Sequence, residues 1–131
     1  GFGFGESARA ALITRGFAEL FKLSIKMGAR PETLMGLAGL GDLLLTCNSQ
    51  QSRNHSFGYA IGRGATPAAA IAQCRGVVEG AATAAIAVAL AVTHNTEMPI
   101  VNAVHAIVDG GAEPATIIRD LLARPALTEF K

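Results

Sequence analysis

Apolar side chains recur at helical spacing in the first well-defined segment of the chain, residues 6–27. Ile13, Phe17 and Phe21 are four residues apart, which places them on one face of an α-helix, with Leu20 beside them. The other face carries a polar stripe that consists of Arg15, Glu19, Lys22 and Lys26. The pattern predicts an amphipathic helix, and Gly28 after it is suited to the C-terminal cap.

Glycine and proline divide the rest of the chain into further helical segments. Thr66 followed by Pro67 is a typical helix start, because threonine caps a helix and proline suits its first position. Pro31, Pro99 and Pro114 open helices in the same way. After the first helix, the predicted helices are a short one from residue 31, then 37–47, 52–61, 66–76, 80–93, 99–110 and 114–123, with Pro125 as the final stop.

No segment shows the alternation of apolar and polar residues that is typical of strands. Val77-Val78 and Ile107-Val108 are too short to form strands by themselves. The sequence therefore predicts an all-α fold. Short loops and Ala- and Leu-rich faces indicate a compact multi-helix domain rather than a coiled coil, because no heptad repeat is sustained.

Composition and charge narrow the class of protein. The 131 residues have the length of one domain, and half of them are hydrophobic, which excludes intrinsic disorder. Eleven basic and ten acidic residues give a net charge of +1, too little for a nucleic-acid or acidic-lipid surface. The longest uncharged stretch, 80–96, is shorter than the ~20 apolar residues of a membrane span.

The cysteine count and the first residues of the chain indicate the compartment and the place of this segment in the protein. Cys47 and Cys74 are too few for a disulfide framework, which fits a reducing, intracellular compartment, and the first residues do not form a signal peptide. The opening GFGFG has no initiator Met and no capping signal, so we expect the chain to begin inside a longer protein. It is not a dinucleotide fingerprint either, because no strand precedes it and the glycine spacing differs.

Asp42 and Thr46 form the first candidate for chemistry. Asp42 stands among apolar residues, where a carboxylate is costly to bury unless it is paired, and Thr46 lies one helical turn later on the same face. Two interpretations stay open from the residues alone. The pair either projects into a site, or consists of a capping or internally bonded Asp beside a Thr that bonds back to its own helix.

The run Ser52-Arg53-Asn54 is a more specific feature. A helix capped by Ser52 would direct the free N–H groups of its first turn and its partial positive charge outward, which suits an anion. The guanidinium of Arg53 matches phosphate, and Asn54 can donate to a phosphate or hydroxyl oxygen. An ordinary capped surface helix would carry the same run, so this interpretation also remains open.

Other candidates carry weaker signals. Glu79 precedes Gly80 at a predicted helix start, where it either complements the helix dipole or accepts a hydrogen bond from a ligand. His55, His94 and His105 have no metal-ligand spacing and are interpreted as surface or packing residues. The two cysteines are interpreted as small buried hydrophobes. We therefore predict no metal site and no catalytic triad in this chain.

Five blocks of sequence follow one another in a fixed order. They are RAALITRG (9–16), MGLAGLGDLLLTC (35–47), SRN (52–54), VVEG (77–80) and EMPI (97–100). Together they resemble the C-terminal domain of bacterial NAD(P)-dependent glycerol-3-phosphate dehydrogenases, from about Ala8 to Ala126. Five blocks in register are far more specific than any single motif.

The resemblance implies an all-helical substrate domain like that of the glycerol-3-phosphate and 6-phosphogluconate dehydrogenases. An N-terminal Rossmann domain, absent from this chain, would hold NAD or NADP. The reaction would be hydride transfer between the nicotinamide and C2 of glycerol 3-phosphate or dihydroxyacetone phosphate, in the cytoplasm, for phospholipid synthesis. The family resemblance also implies a homodimer, and the charge balance gives no nucleic acid as partner.

The resemblance also assigns roles to individual residues. By it, the substrate-binding residues are Asp42, Thr46, Ser52, Arg53 and Asn54, and the cofactor contacts are Arg53, Val77 and Glu79. The family's catalytic lysine lies upstream of residue 1, so no catalytic residue is assigned here and the chain alone is expected to be inactive. His55 stands where a second basic residue is expected, which weakens the positive potential.

Two alternatives accompany this interpretation. The chain could be the helical domain of another hydroxyacid dehydrogenase, whose substrate carries a carboxylate instead of a phosphate. It could also be a non-catalytic interaction module with the Ala-rich helix 80–93 as its partner surface. That last alternative requires Ala84, Ala87 and Ala91 to be exposed.

Overall fold

A computed structural model describes residues 1–123, and these residues form eight α-helices and one π-helical turn. Most predicted helices are confirmed within a few residues, and the Pro125 stop lies outside the described residues. The elements in chain order are α1 (Glu6–Lys26), α2 (Pro31–Met35), a π-turn (Leu37–Gly41), α3 (Asp42–Asn48), α4 (Arg53–Gly62), α5 (Pro67–Gln73), α6 (Glu79–Thr93), α7 (Pro99–Val108) and α8 (Pro114–Ala123).

Local capping residues set several of these boundaries. Ser52 Oγ accepts the N–H of His55 at 3.3 Å, and Thr66 Oγ1 accepts the N–H of Ala69 at 3.2 Å. Gly28 follows α1 with φ +92°, a left-handed conformation that glycine adopts without steric cost. The prediction for α5 was wrong at its C-terminus, because the helix ends at Gln73 and not at Gly76.

The polar stripe predicted on α1 was wrong at one position. Glu19 is buried, and its two carboxylate oxygens accept the N–H groups of Ile100 (2.7 Å) and Val101 (3.2 Å). These donors belong to the first turn of α7. The N–H groups of a first turn have no acceptor within their own helix. The carboxylate therefore caps α7 from 81 residues away in the chain.

Replacing Glu19 by alanine is expected to lower the free energy of unfolding by about 2–3 kcal/mol. The substitution leaves two N–H donors without their charged acceptor in a partly buried place. Urea denaturation measures the change. Glu32→Ala, which removes an exposed carboxylate from α2, should cost less than about 1 kcal/mol, and equal costs would contradict the capping role.

Two small cores hold the helices together. One contains Phe57 and Ile61 of α4 with Ala70 of α5 and Val78 before α6. The other joins Leu23 of α1 and Ala91 of α6 to Met98 before α7. The first core therefore packs the start of α6 against α4, and this contact shapes the candidate site.

The Ala-rich helix α6 has one face inside the fold. Ala84 and Ala91 are buried and Ala87 is half-buried. The interaction-module alternative loses the observation that motivated it. Ile86 and Val92 of the same helix are exposed. None of the described helices is both long and apolar enough to cross a membrane.

Candidate functional site

The site develops from the first turn of α4. Ser52 caps this helix by accepting the His55 N–H, so its hydroxyl proton remains able to donate. The N–H groups of Arg53 and Asn54 are the first two of the helix and lie outside its hydrogen-bond ladder. The predicted cap of Ser52 is thus confirmed, and the turn presents donors and a partial positive charge.

Asn54 connects α4 to α6. Its side-chain Oδ1 accepts the backbone N–H of Gly80 at 3.0 Å, across 26 residues of chain. Gly80 is the second residue of α6, where no side chain of α6 itself caps the helix. Asn54 therefore takes the place of an N-cap residue for α6. Because Oδ1 accepts this bond, Nδ2 is left as a donor.

Arg53 lies across Gly76. A Cβ atom at Gly76 would be 3.0 Å from Nη1 and 3.8 Å from Cδ of Arg53. The side chain of Arg53 is exposed and forms no ion pair with any residue in 1–123. The guanidinium thus lies close to the backbone of Gly76 and remains available for an anion.

The three residues between Gly76 and Gly80 differ in their burial. Val78 is 6% exposed and belongs to the core, whereas Val77 is 68% exposed and Glu79 is exposed. We call Arg53, Asn54 and the segment 76–80 the α4–α6 junction. The junction joins four of the predicted site residues in one surface, since Arg53 and Asn54 contact the two glycines that flank Val77 and Glu79.

Asp42 and Thr46 lie on α3, which packs against α4. Asp42 is exposed, Thr46 is half-buried, and neither side chain forms a hydrogen bond or ion pair with the described residues. The interpretation of a capping Asp beside a Thr bonded to its own helix is therefore wrong. Among the described residues no hydrogen bond or ion pair joins this pair to the α4–α6 junction, so its convergence with Arg53 stays a prediction.

A π-turn precedes Asp42, and the sequence did not predict it. Gly41 N–H donates to the carbonyl of Gly36, five residues back, at 3.2 Å. Gly39 permits this turn, because a Cβ there would collide with the backbone of Leu34. The widened turn leads directly into α3 at Asp42, and glycine at residue 39 was the signal available in the sequence.

The remaining titratable groups offer no metal site within residues 1–123. His105 Nδ1 lies 2.9 Å from Oδ2 of Asp109, the residue that caps the C-terminus of α7. Both cysteines are free and half-buried, and burial raises the pKa of the Cys47 thiol. A raised pKa leaves Cys47 less thiolate at neutral pH than an ordinary thiol has.

Two glycines and one acid were missed by sequence reasoning. Gly76 and Gly80 have no side chains, yet the side chains of Arg53 and Asn54 lie close against them. Glu19 was assigned to a solvated stripe and instead caps α7. The positions of these residues depend on partners that are remote in sequence, which local periodicity does not reveal.

Comparison with known proteins gives a consistent result. Residues 1–119 match the family model of the NAD-dependent glycerol-3-phosphate dehydrogenase C-terminus. The glycerol-3-phosphate dehydrogenase [NAD(P)+] of Halorhodospira halophila is 51% identical over 130 residues, covering 99% of this chain and 39% of the relative. The protein of the same name from Parvibaculum lavamentivorans is 55% identical over 126 residues, covering 96% and 38%.

A solved structure is similar over the same region. The crystal structure of glycerol-3-phosphate dehydrogenase from Coxiella burnetii superposes with a TM-score of 0.90 at 43% identity. The match covers 94% of this chain and 38% of that protein. The chain thus spans less than two fifths of the length of these relatives.

Proposed function

The chain belongs to the family of the NAD-dependent glycerol-3-phosphate dehydrogenase C-terminus, and on this premise we propose that it is the substrate-binding part of a longer oxidoreductase. The enzyme would interconvert sn-glycerol 3-phosphate and dihydroxyacetone phosphate with NAD or NADP. The observation that carries the proposal is the guanidinium of Arg53, which lies across Gly76 at the N-terminus of α4 and forms no ion pair within residues 1–123.

The phosphate group would bind at the α4–α6 junction. Arg53 supplies a planar cation with several N–H donors, and the first N–H groups of α4 add a partial positive charge. The Nδ2 of Asn54 and the hydroxyl of Ser52 are further donors to phosphate or hydroxyl oxygens. These groups neutralise and orient the substrate, and fixed geometry of this kind accelerates a reaction by removing freedom of movement before the chemical step.

The residues also suit a dinucleotide. Val77 and Glu79 are exposed beside Arg53, so an apolar contact, a carboxylate acceptor and a cation lie together on the junction. When bound, the nicotinamide cofactor supplies the hydride. Asp42 and Thr46 would form another wall of the substrate site. The general acid for the carbonyl oxygen at C2 would come from the family's lysine in the upstream part of the enzyme.

The setting of the enzyme follows from the same resemblance. We propose that the full-length enzyme is a cytoplasmic homodimer that serves phospholipid synthesis. Its chain would contain a Rossmann domain besides the residues described above. The exposed Ile86 and Val92 on α6 support a further contact, with a second copy or with the rest of the enzyme. Sedimentation of the full-length enzyme tests the dimer.

The proposed reaction is tested by NADH and NADPH oxidation in the full-length enzyme that contains this segment. Dihydroxyacetone phosphate is expected to support oxidation of at least one of the two cofactors. A 3-hydroxy acid with NAD or NADP serves as the comparison, because its carboxylate would occupy the position of the phosphate. No turnover of dihydroxyacetone phosphate, together with oxidation of the hydroxy acid, would assign the chain to another hydroxyacid dehydrogenase.

A further inference from the structure

A side chain at Gly80 would displace the side chain of Asn54. A Cβ atom at this position would lie 2.8 Å from Oδ1 and 3.0 Å from Cγ of Asn54. The close approach lets the Gly80 N–H reach Oδ1 at 3.0 Å. The bond decides which end of the amide is the acceptor, and it leaves Nδ2 as the donor for another partner. Gly80 thereby controls both the place and the orientation of Asn54.

Gly76 has the corresponding relation to Arg53. Its φ of +99° lies in the left-handed region, and a Cβ atom would be 3.0 Å from Nη1. A Cβ atom there would press on the tip of the Arg53 side chain, which would have to shift by a few tenths of an ångström, whereas glycine lets the side chain lie across the backbone. This contact restricts the rotamers of a long, exposed side chain before any ligand arrives.

We propose that Gly76 and Gly80 are positioning residues that pre-organise Arg53 and Asn54 for the phosphate of the substrate. The proposal rests on the proposed function, because it names the same anion as the target. Donors that are already ordered bind a charged group without the entropic cost of ordering the donors during binding. A displacement of such a group by about 1 Å can cost on the order of a hundredfold in rate. Neither glycine contributes a side-chain atom to the site.

Gly80→Ala tests the first half, with Gly58→Ala as the matched control. Both glycines lie inside helices, but a Cβ atom at Gly58 meets no atom within 4 Å. In the full-length enzyme, Gly80→Ala is expected to lower kcat/KM for dihydroxyacetone phosphate by at least about tenfold. Gly58→Ala is expected to leave it within about twofold, because Ala in an open helical position favours the helix.

A double-mutant cycle separates positioning from a general loss of structure. If Gly80 acts through Asn54, adding Gly80→Ala to Asn54→Ala should cause no further loss of kcat/KM, since the clashing amide is already absent. Independent, additive losses would overturn the inference. The same cycle measured as melting temperatures reports the contact itself, without any need for activity.

Gly76→Ala tests the second half, with Gly64→Ala as the control. Their φ angles are +99° and +98°, so both substitutions impose the same backbone strain. Only the Cβ at Gly76 meets Arg53, whereas the one at Gly64 meets nothing within 4 Å. We expect similar losses of melting temperature in both variants and a loss of kcat/KM, of at least about tenfold, in Gly76→Ala alone.

The outcomes distinguish this inference from the proposed function. If the wild-type enzyme reduces dihydroxyacetone phosphate and each variant behaves like its control, the inference is overturned and the function stands. If the wild-type enzyme is inactive with this substrate, the proposed function fails. The melting-temperature cycle then still decides whether Gly80 holds Asn54, because a missing coupling would overturn that contact.

Discussion

Replacing Arg53 by alanine in the full-length enzyme is expected to lower kcat/KM for dihydroxyacetone phosphate by more than about a hundredfold. Arg53 is the cation placed across Gly76 at the start of α4, and no described carboxylate neutralises it. Removing one partner of a close charge pair typically costs about 2–5 kcal/mol, a range of roughly thirtyfold to several thousandfold that includes the expected loss. Steady-state kinetics with NADH and NADPH measure the loss.

Two further variants sharpen this prediction. Arg63→Ala removes an exposed arginine at the other end of α4 and should change kcat/KM by less than about threefold. Arg53→Lys keeps the charge but loses the planar set of donors, so we expect only partial recovery relative to Arg53→Ala. If Arg53→Ala retained full activity, the anion site would have to lie elsewhere, although the enzyme class would be unaffected.

Asn54→Asp is expected to lower kcat/KM by about a hundredfold or more while leaving the fold intact. The carboxylate can still accept the N–H of Gly80, and its charge is favourable at the N-terminus of α6 by about 0.3–1 kcal/mol. The substitution, however, replaces the Nδ2 donor with an anionic oxygen, which repels the phosphate and cannot donate to it. Activity and stability should therefore separate.

Melting temperature and kinetics measured on the same samples check this separation. Asn102→Asp introduces the same change of charge at an exposed position of α7 and should affect neither quantity strongly. An Asn54→Asp enzyme with the activity of the wild type would show that Nδ2 does not contact the substrate. Asn54 would then serve only as the cap of α6.

The two predictions concern different atoms of one surface. Arg53 contributes charge, and Asn54 contributes a donor whose direction depends on the Gly80 N–H. Both side chains come from consecutive residues at the start of α4, where the helix supplies additional N–H groups. Each test therefore reports on groups at the start of α4. Both use the full-length enzyme, so the cofactor-binding domain is present in the assay.

The all-α class and most helix boundaries were determined by the sequence itself. Caps such as Ser52 and Thr66 and a proline such as Pro67 act on their own backbone within a few residues, so their effect does not depend on the remainder of the fold. The ordered blocks around Asp42, Arg53 and Glu79 also indicated the family, which the comparisons confirmed.

Only the tertiary structure decided how these residues are used. Glu19 meets α7 across 81 residues of chain, and Asn54 meets Gly80 across 26. The helical period places Glu19 on a polar stripe, but it cannot tell which stripe faces the unpaired N–H groups of another helix. Likewise, Gly76 and Gly80 matter because Arg53 and Asn54 occupy the space where their side chains would be, and that space exists only after the helices have packed.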